Sequence, residues 1–305
     1  MKDNISGILT CGLLMLFSIS QIYGQQVADE KFSYPITAPR YRVGNGPLAL
    51  FDEAHHNSVT LKGTYAAFSN LLIADGYRLL STKDKISSDR LSDAKIYISV
   101  NAMFDPENWN LKPHSAFSEQ EIEILRQWVY AGGSLFLVTD HMPCGGSIQA
   151  LAATFGIHVV NGFALRKDGH PEIFSRERKS LLSNEITNTS GEEIDSIMCW
   201  GGTGFLVPSS AHVISMLNEE YDIYLPDDVN KIKRSVPDNI PRLSATGFVN
   251  GAYLRFGKGR VVIFGDAAPF SAQLQGIKSE KRGMNHPSAK QNAQFLLNIV
   301  HWLDQ

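Results

Sequence analysis

The stretch LALFDEAHHN (residues 48–57) passes from an unbroken apolar run directly into acidic and imidazole side chains. Two other stretches repeat this pattern, LFLVTDH at residues 135–141 and VVIFGD at residues 261–266. An unbroken apolar run is typical of a strand that is buried on both faces of a parallel sheet. Ligands bind outside the carboxyl ends of such strands. If the three strands lie side by side, their polar side chains meet in one crevice.

Acidic and imidazole groups at these strand ends are the candidate functional residues. Together they could hold a divalent metal such as zinc and activate its water, or act as acid and base without a metal. For each group the alternative is structural, as a hydrogen-bonded loop, a turn or a helix cap. The candidate catalytic residues are Asp52, His55, Asp140 and His141. The candidate ligand-binding residues are Glu53, His56, Asn57, Gly145, Asp266 and His286.

Strand and helix patterns alternate through the first half of the chain, as in βαβ units. Ser118 and Glu121 form a capping-box pattern at the start of one helix, and Gly132 follows its end. The predicted strands are residues 47–52, 77–80, 96–100, 134–139 and 157–160, and the predicted helices are residues 60–75, 118–131 and 148–155. This alternation predicts an α/β domain with a mostly parallel sheet.

The alternating pattern weakens from residue 161 to residue 250, where the chain is more polar and contains several prolines. We interpret this span as an inserted, partly antiparallel lobe of a domain that covers residues 46–305, after a polar lead-in at residues 25–45. Gly257-Lys258-Gly259 lies between two apolar runs and predicts a C-terminal hairpin. A last helix is predicted at residues 288–303, with Ser288 and Gln291 as its caps.

The N-terminal residues 1–24 have the features of a secretory signal. Lys2 supplies a positive charge, a short apolar run covers residues 8–19, and Gly24 precedes the expected cleavage point. That run is shorter than the roughly 20 apolar residues that span a bilayer, so we expect a periplasmic or secreted protein with no stable membrane span after cleavage. Cys144 and Cys199 would remain, and a disulfide between them is an open question.

Several common functions lack support in the sequence. A formal net charge of −3 without a basic run argues against nucleic acid as a partner. The strand-to-helix turns contain neither the Gly-x-Ser-x-Gly of serine hydrolases nor the glycine-rich loops of nucleotide-binding proteins. The chemistry therefore has to come from the acidic and imidazole groups, or the crevice only binds a ligand.

The chain resembles class I glutamine amidotransferase-like domains. The resemblance rests on the stretches at residues 50–57, 128–135, 139–141, 257–266 and 298–303. It is closer to the non-amidotransferase branch, which occurs in uncharacterised bacterial exported proteins and in intraflagellar-transport-type proteins. The resemblance implies a flavodoxin-like three-layer sandwich.

The resemblance also bears on catalysis. True amidotransferases carry a cysteine at the turn where this chain has Asp140, and a His-x-Glu pair much later in the chain. Here Cys144 lies deeper in the loop, and His170 and Glu172 follow it early, so we expect glutaminase chemistry to be lost.

Two functions remain after these exclusions. The crevice binds a small polar ligand, for which a carbohydrate is our candidate, or it hosts a metal-assisted or acid/base hydrolase. If the crevice binds a carbohydrate, the candidate surfaces for stacking of the sugar ring are Trp200, Phe205 and Tyr221.

Overall fold

The computed structural model describes residues 26–107, 113–170, 172–232 and 239–305, so the predicted signal lies outside the described residues. The strands are β1 (Gln26–Ala28), β2 (Leu48–Asp52), β3 (Arg78–Thr82), β4 (Ala94–Val100), β5 (Ser134–Val138), β6 (His158–Val159), β7 (Phe163–Arg166), β8 (Glu172–Ser175), β9 (Ser196–Cys199), β10 (Phe205–Leu206), β11 (His212–Met216), β12 (Tyr221–Tyr224), β13 (Arg242–Ser244), β14 (Val249–Phe256), β15 (Gly259–Phe264), β16 (Ala272–Gln275) and β17 (Glu280–Gly283). The helices are α1 (Ala66–Ala74), α2 (Ser88–Leu91), α3 (Glu119–Ala131), α4 (Cys144–Ser147), α5 (Gln149–Ala153) and α6 (Asn292–Leu303).

A nine-stranded mixed sheet forms the centre of the molecule. Its strand order is β3-β2-β4-β5-β15-β14-β10-β6, and β11 also pairs with β14. In this spatial order, the neighbouring strands β3, β2, β4, β5 and β15 pair in parallel. All pairings that involve β14 or β10 are antiparallel. The predicted α/β architecture with a mostly parallel core is confirmed.

Alternate residues of the central strands pack into two different hydrophobic clusters. Phe51 and Phe136 belong to one cluster, with side chains of α1 and α6, and Leu50 and Leu135 belong to the other, with side chains of α3 and α5. Successive side chains of a strand point to opposite faces of the sheet. Both faces are therefore covered by helices, which gives the three-layer sandwich and explains the unbroken apolar runs.

Local signals placed some element boundaries well and others poorly. The capping box of α3 is present, and the β14–β15 hairpin turns at the predicted glycines. In contrast, α1 begins at Ala66, after a series of turns. The predicted cap of α6 is wrong: the Gln291 side chain caps nothing, because its Oε1 accepts the backbone N–H groups of Asp195 and Ser196.

Residues 161–250 do not form one separate sheet. β7, β12 and β13 make a three-stranded antiparallel sheet and β8 pairs with β9, whereas β10 and β11 extend the central sheet. The expectation that residues 157–160 continue the parallel sheet is wrong. β15 takes the position beside β5, so β6 lies at the far edge, antiparallel to β10.

A third small sheet lies where no regular structure is predicted. β1, from the lead-in, pairs with β16, and β16 forms a hairpin with β17. The sequences of these strands are short and polar, with little apolar alternation, so the pattern that identifies half-buried strands is missing. In the part of the chain that the structure describes, no helix is both long and apolar enough to cross a membrane.

Candidate functional site

The polar strand ends lie at one edge of the central sheet. Asp52 ends β2, Asp140 and His141 follow β5, and Asp266 follows β15. β4 lies between β2 and β5, so the three strands are not all adjacent, and Asn101 at the end of β4 joins the group. Backbone hydrogen bonds connect these strand ends, from Asn101 to Val138 (3.0 Å) and from Thr139 to Phe264 (2.9 Å).

Asp52 and His55 lie in the interior beneath this edge. The Asp52 side chain is fully buried and His55 is 1% exposed. His55 Nδ1 lies 2.8 Å from Asp52 Oδ1, and His55 Nε2 lies 3.0 Å from Glu121 Oε1. The other Asp52 oxygen accepts the Ser99 hydroxyl at 2.8 Å. We call this Asp52–His55–Glu121 group the carboxylate–imidazole clamp.

The electrostatics of the clamp favour a charged imidazole. Burial lowers the pKa of His55, but the hydrogen bonds and charges of Asp52 and Glu121 outweigh it, so the net shift is upward. Burial raises the pKa of Glu121, but hydrogen bonds from Ser118 and His55 outweigh it and bring that pKa to about 2. Both imidazole nitrogens are engaged with protein carboxylates. Neither side chain presents a free polar atom, so the expectation that Asp52 and His55 react with a ligand has no support in this geometry.

The neighbours of the clamp are also structural or remote from the cavities. Glu53 Oε1 accepts the backbone N–H of Leu61 at 3.0 Å. Asn57 donates to the carbonyl of Val100 at 2.9 Å and accepts the backbone N–H of His55 at 3.1 Å. His56 is exposed, with φ of 47°. Glu53, His56 and Asn57 are all absent from the linings of the two pockets described below.

A pocket of about 380 Å³ opens at the carboxyl ends of β4, β5 and β15. We call it the strand-end pocket. Polar side chains of its lining include Thr64, Asn101, Asp140, His141, Gln273 and Arg282.

Four polar atoms on residues of this lining are buried and have no hydrogen-bond partner within the protein. They are Thr64 Oγ1, Asn101 Oδ1, Gln273 Oε1 and Arg282 Nε. Asn101 and Gln273 are each only 5% exposed. Buried polar groups in folded proteins are nearly always hydrogen-bonded, so the protein leaves the hydrogen-bonding capacity of these four atoms unused.

Asp140 and His141 lie on the wall of this pocket, as expected. Asp140 Oδ1 accepts the backbone N–H of His141 at 2.9 Å. His141 Nδ1 lies 2.7 Å from the carbonyl oxygen of Met142, and the imidazole stacks on Phe163 with ring centroids 4.2 Å apart. A carbonyl can only accept, so Nδ1 carries the proton. In the neutral imidazole Nε2 is then the free acceptor.

Gly145 is outside the lining of the strand-end pocket. A Cβ atom at this position would lie 3.0 Å from the carbonyl oxygen of Val160. The glycine therefore allows close packing of two backbone segments, and its predicted contact with a ligand has no support in this geometry.

A second pocket of about 640 Å³ lies beside the β16–β17 hairpin, and we call it the hairpin pocket. It contains the predicted ligand-binding residue His286, together with Glu172, Trp200 and Arg282. Of the three predicted stacking residues only Trp200 is on a pocket wall, because Phe205 and Tyr221 are buried in the core.

The pKa values of two carboxyl groups near the pockets, those of Asp266 and Glu172, are raised. Asp266 is fully buried, and its oxygens accept the backbone N–H groups of Trp200 (2.5 Å) and Ala268 (2.8 Å). Burial and the charge of Asp140 raise the pKa of Asp266 above its usual range. Burial, with the charges of Asp266 and Asp140, raises the pKa of Glu172 to about 8.

The two cysteines are buried and free. Burial, with the charge of Asp140, raises the pKa of the Cys144 thiol, so it is not a ready thiolate nucleophile. Among the described residues, no group of three or more His, Cys, Asp or Glu side chains is arranged to hold a metal ion.

Sequence reasoning missed most of the pocket wall. Asn101 could have been chosen, because it directly follows a predicted buried strand in the same way as Asp140. Gln273 and Arg282 lie on the polar hairpin strands, and no motif marks them.

The comparisons with known proteins agree with the architecture. The N-terminal domain of mmIFT52 superimposes with a TM-score of 0.56 and 17% identity, covering 84% of this chain and 97% of that domain. A cytoplasmic protein from Salmonella typhimurium gives a TM-score of 0.49 and 10% identity, covering 84% and 98% of the two chains. No family model matches the chain.

One curated human protein, the intraflagellar transport protein 52 homolog, is 24% identical over 158 residues, which is 49% of this chain. The aligned region spans 33% of that protein's length. Sheet order, layers and structural similarity together define an α/β protein with a flavodoxin-like fold, which the N-terminal domain of mmIFT52 resembles.

Proposed function

We propose that the strand-end pocket binds a small, uncharged polar ligand rich in hydroxyl groups, with a carbohydrate as the candidate class. The observation that carries this proposal is the set of four unpartnered polar atoms on the residues of its lining. Each such atom costs roughly 1–3 kcal/mol while it lacks a hydrogen bond. The atoms are buried, so a ligand recovers this free energy when the side chains turn toward it on binding.

The chemistry of these atoms supports a polyol. Asn101 Oδ1 and Gln273 Oε1 accept hydrogen bonds, whereas Arg282 Nε donates one and the Thr64 hydroxyl can do either. A sugar hydroxyl both donates and accepts, so one ligand type can satisfy all four. The position outside the carboxyl ends of parallel strands is the usual ligand site of such sheets.

Binding to a panel of monosaccharides, measured by calorimetry, tests the proposal. We expect a saturable signal that weakens by about tenfold or more when Gln273→Ala or Asn101→Ala removes an acceptor, corresponding to about 1.4 kcal/mol for each variant. Gln127→Ala on the exposed face of α3 is the matched control. If no sugar binds, or if the pocket variants bind as the control does, the proposal fails.

Acid/base hydrolysis is a second candidate, because His141 presents a free acceptor nitrogen to the same pocket. Asp140 stands beside it and could take part in proton transfer. His141→Asn should then abolish hydrolysis of a glycoside or ester substrate while ligand binding persists. Turnover that survives this substitution would remove His141 from the mechanism.

We further propose that the protein belongs to an exported bacterial branch of this fold. The support is the charged, apolar and small-residue pattern of residues 1–24. Fractionation of the producing cells, with mass determination of the mature N-terminus, should find the protein outside the cytoplasm and beginning near Gln25. Recovery of the uncleaved chain in the cytoplasm would contradict export.

A further inference from the structure

Arg282 stands at the junction of the two pockets, since it is the residue common to both linings. Its guanidinium is held in place: one Nη donates to Gln275 Oε1 and the other to the carbonyl oxygen of Trp200, each at 3.2 Å. The positive charge of Arg282 lowers the pKa of both Glu172 and Asp266, against the larger effect of their burial. A ligand that meets Arg282 in one pocket is therefore directly beside the other.

The hairpin pocket offers an aromatic wall. The rings of Trp200 and His286 are 5.7 Å apart and nearly perpendicular. His286 Nδ1 accepts the backbone N–H of Ser288 at 3.1 Å, so Nε2 carries the proton of the neutral imidazole and can donate. An aromatic face next to polar groups suits a sugar ring, which has apolar C–H faces and a polar rim.

The less exposed of the two acidic groups of this pocket, Glu172, is compatible with an uncharged ligand. The raised pKa of Glu172, about 8, keeps its carboxyl group largely protonated at neutral pH. In that form the group can donate a hydrogen bond to a hydroxyl and does not demand a cation.

We propose that the hairpin pocket is a second subsite and that the ligand is an oligosaccharide. One ring occupies the strand-end pocket, the chain passes Arg282, and the next ring stacks on Trp200. This inference rests on the proposed function, which concerns the strand-end pocket alone.

A chain-length series tests the second subsite. Calorimetry would compare gluco-, galacto-, manno- and xylo-configured saccharides of one to four residues. In the wild-type protein we expect the dissociation constant to fall by about tenfold or more between one residue and two or three. Trp200→Ala should lose this gain but keep the affinity for the monosaccharide, and Trp200→Phe should retain most of the gain.

The design guards against misfolding. The hydrogen bonds of Trp200 to Asp266 and Arg282 use its backbone, so truncation of the side chain leaves them in place. Tyr130→Ala, which removes an aromatic ring that is 61% exposed and outside both pockets, is the matched control. The difference in tryptophan fluorescence between the wild type and Trp200→Phe gives a second readout, which should change with oligosaccharides and not with monosaccharides.

Each outcome decides between the two proposals. Monosaccharide binding with no gain in affinity from longer chains, or with a gain that persists in Trp200→Ala, overturns the second subsite and leaves the proposed function standing. Failure of every saccharide to bind overturns both.

Discussion

At the scale of single residues, the acidic groups near the strand ends differ in how their charge is balanced. Asp52 accepts hydrogen bonds from His55 and Ser99, and it has a charged partner. Glu172 lies near two other carboxyl groups, and its pKa is raised from 4.5 to about 8. Burial beside other carboxyl groups favours the protonated form of Glu172.

The raised pKa of Glu172 predicts a pH-dependent stability. The unfolded chain ionises this group near pH 4.5, but the folded chain keeps it protonated until about pH 8. Stability from this group is therefore present at low pH and declines as pH rises between those values. Glu172→Gln should raise the free energy of unfolding at pH 8 by about 1 kcal/mol or more and change it little at pH 4.5.

Urea unfolding at both pH values, with Glu280→Gln as control, measures this effect. Glu280 lines the same pocket but is exposed, so its substitution should shift stability by less than about 0.5 kcal/mol at either pH. A pH-independent difference between Glu172→Gln and the wild type would contradict the prediction.

At the scale of elements, the carboxylate–imidazole clamp joins the loop after β2 to the first turn of α3. His55→Ala would leave two carboxylates without their shared donor, in a site where Phe117 packs on the imidazole with ring centroids 4.3 Å apart. We expect a loss of about 3 kcal/mol in the free energy of unfolding at neutral pH. Because the pKa of His55 is raised, this contribution is complete below about pH 6.5 and diminishes as pH rises through the folded value.

The neighbouring His56 provides the control for the clamp. It is exposed, and asparagine tolerates its positive φ. His56→Asn should change the unfolding free energy by no more than about 0.5 kcal/mol. Equal stability of His55→Ala and His56→Asn in chemical denaturation would show that the clamp is not structural.

At the scale of the whole molecule, Asp304 connects distant parts of the chain. Its side chain is 1% exposed, and it accepts hydrogen bonds from Tyr77 and from Tyr41 (3.0 Å) and pairs with Arg40 (3.4 Å). The end of α6 is thereby tied to the lead-in and to the start of β3.

Asp304→Ala should destabilise the fold by about 2–3 kcal/mol, because it leaves two tyrosine hydroxyls without their acceptor. Gln305→Ala, in the adjacent exposed residue, is the control, since Gln305 bonds to Lys95 and Arg260 through its backbone carbonyl. Denaturant unfolding curves of the two variants check the difference. Indistinguishable midpoints would contradict this role of Asp304.

Much of the central fold was accessible from the sequence. β2, β5 and β15 were located because burial on both faces requires unbroken apolar runs. The start of α3 was located because the side chains of Ser118 and Glu121 each accept a hydrogen bond from the other's backbone N–H, and the two residues are close neighbours in the sequence. The small sheet of β1, β16 and β17 was not located, because its strands are short and polar and because β1 pairs with a segment about 245 residues away along the chain.

The sequence by itself determined the elements whose stabilising groups are neighbours along the chain, together with the edge of the sheet where polar residues collect. Only the tertiary structure decided which of those residues face a cavity. His55 turns inward because Glu121 of a distant helix accepts a hydrogen bond from its Nε2. Asn101 lines the same pocket as Gln273 and Arg282 because the β16–β17 hairpin lies beside the strand ends. Such contacts depend on packing between remote segments, and no local pattern encodes them.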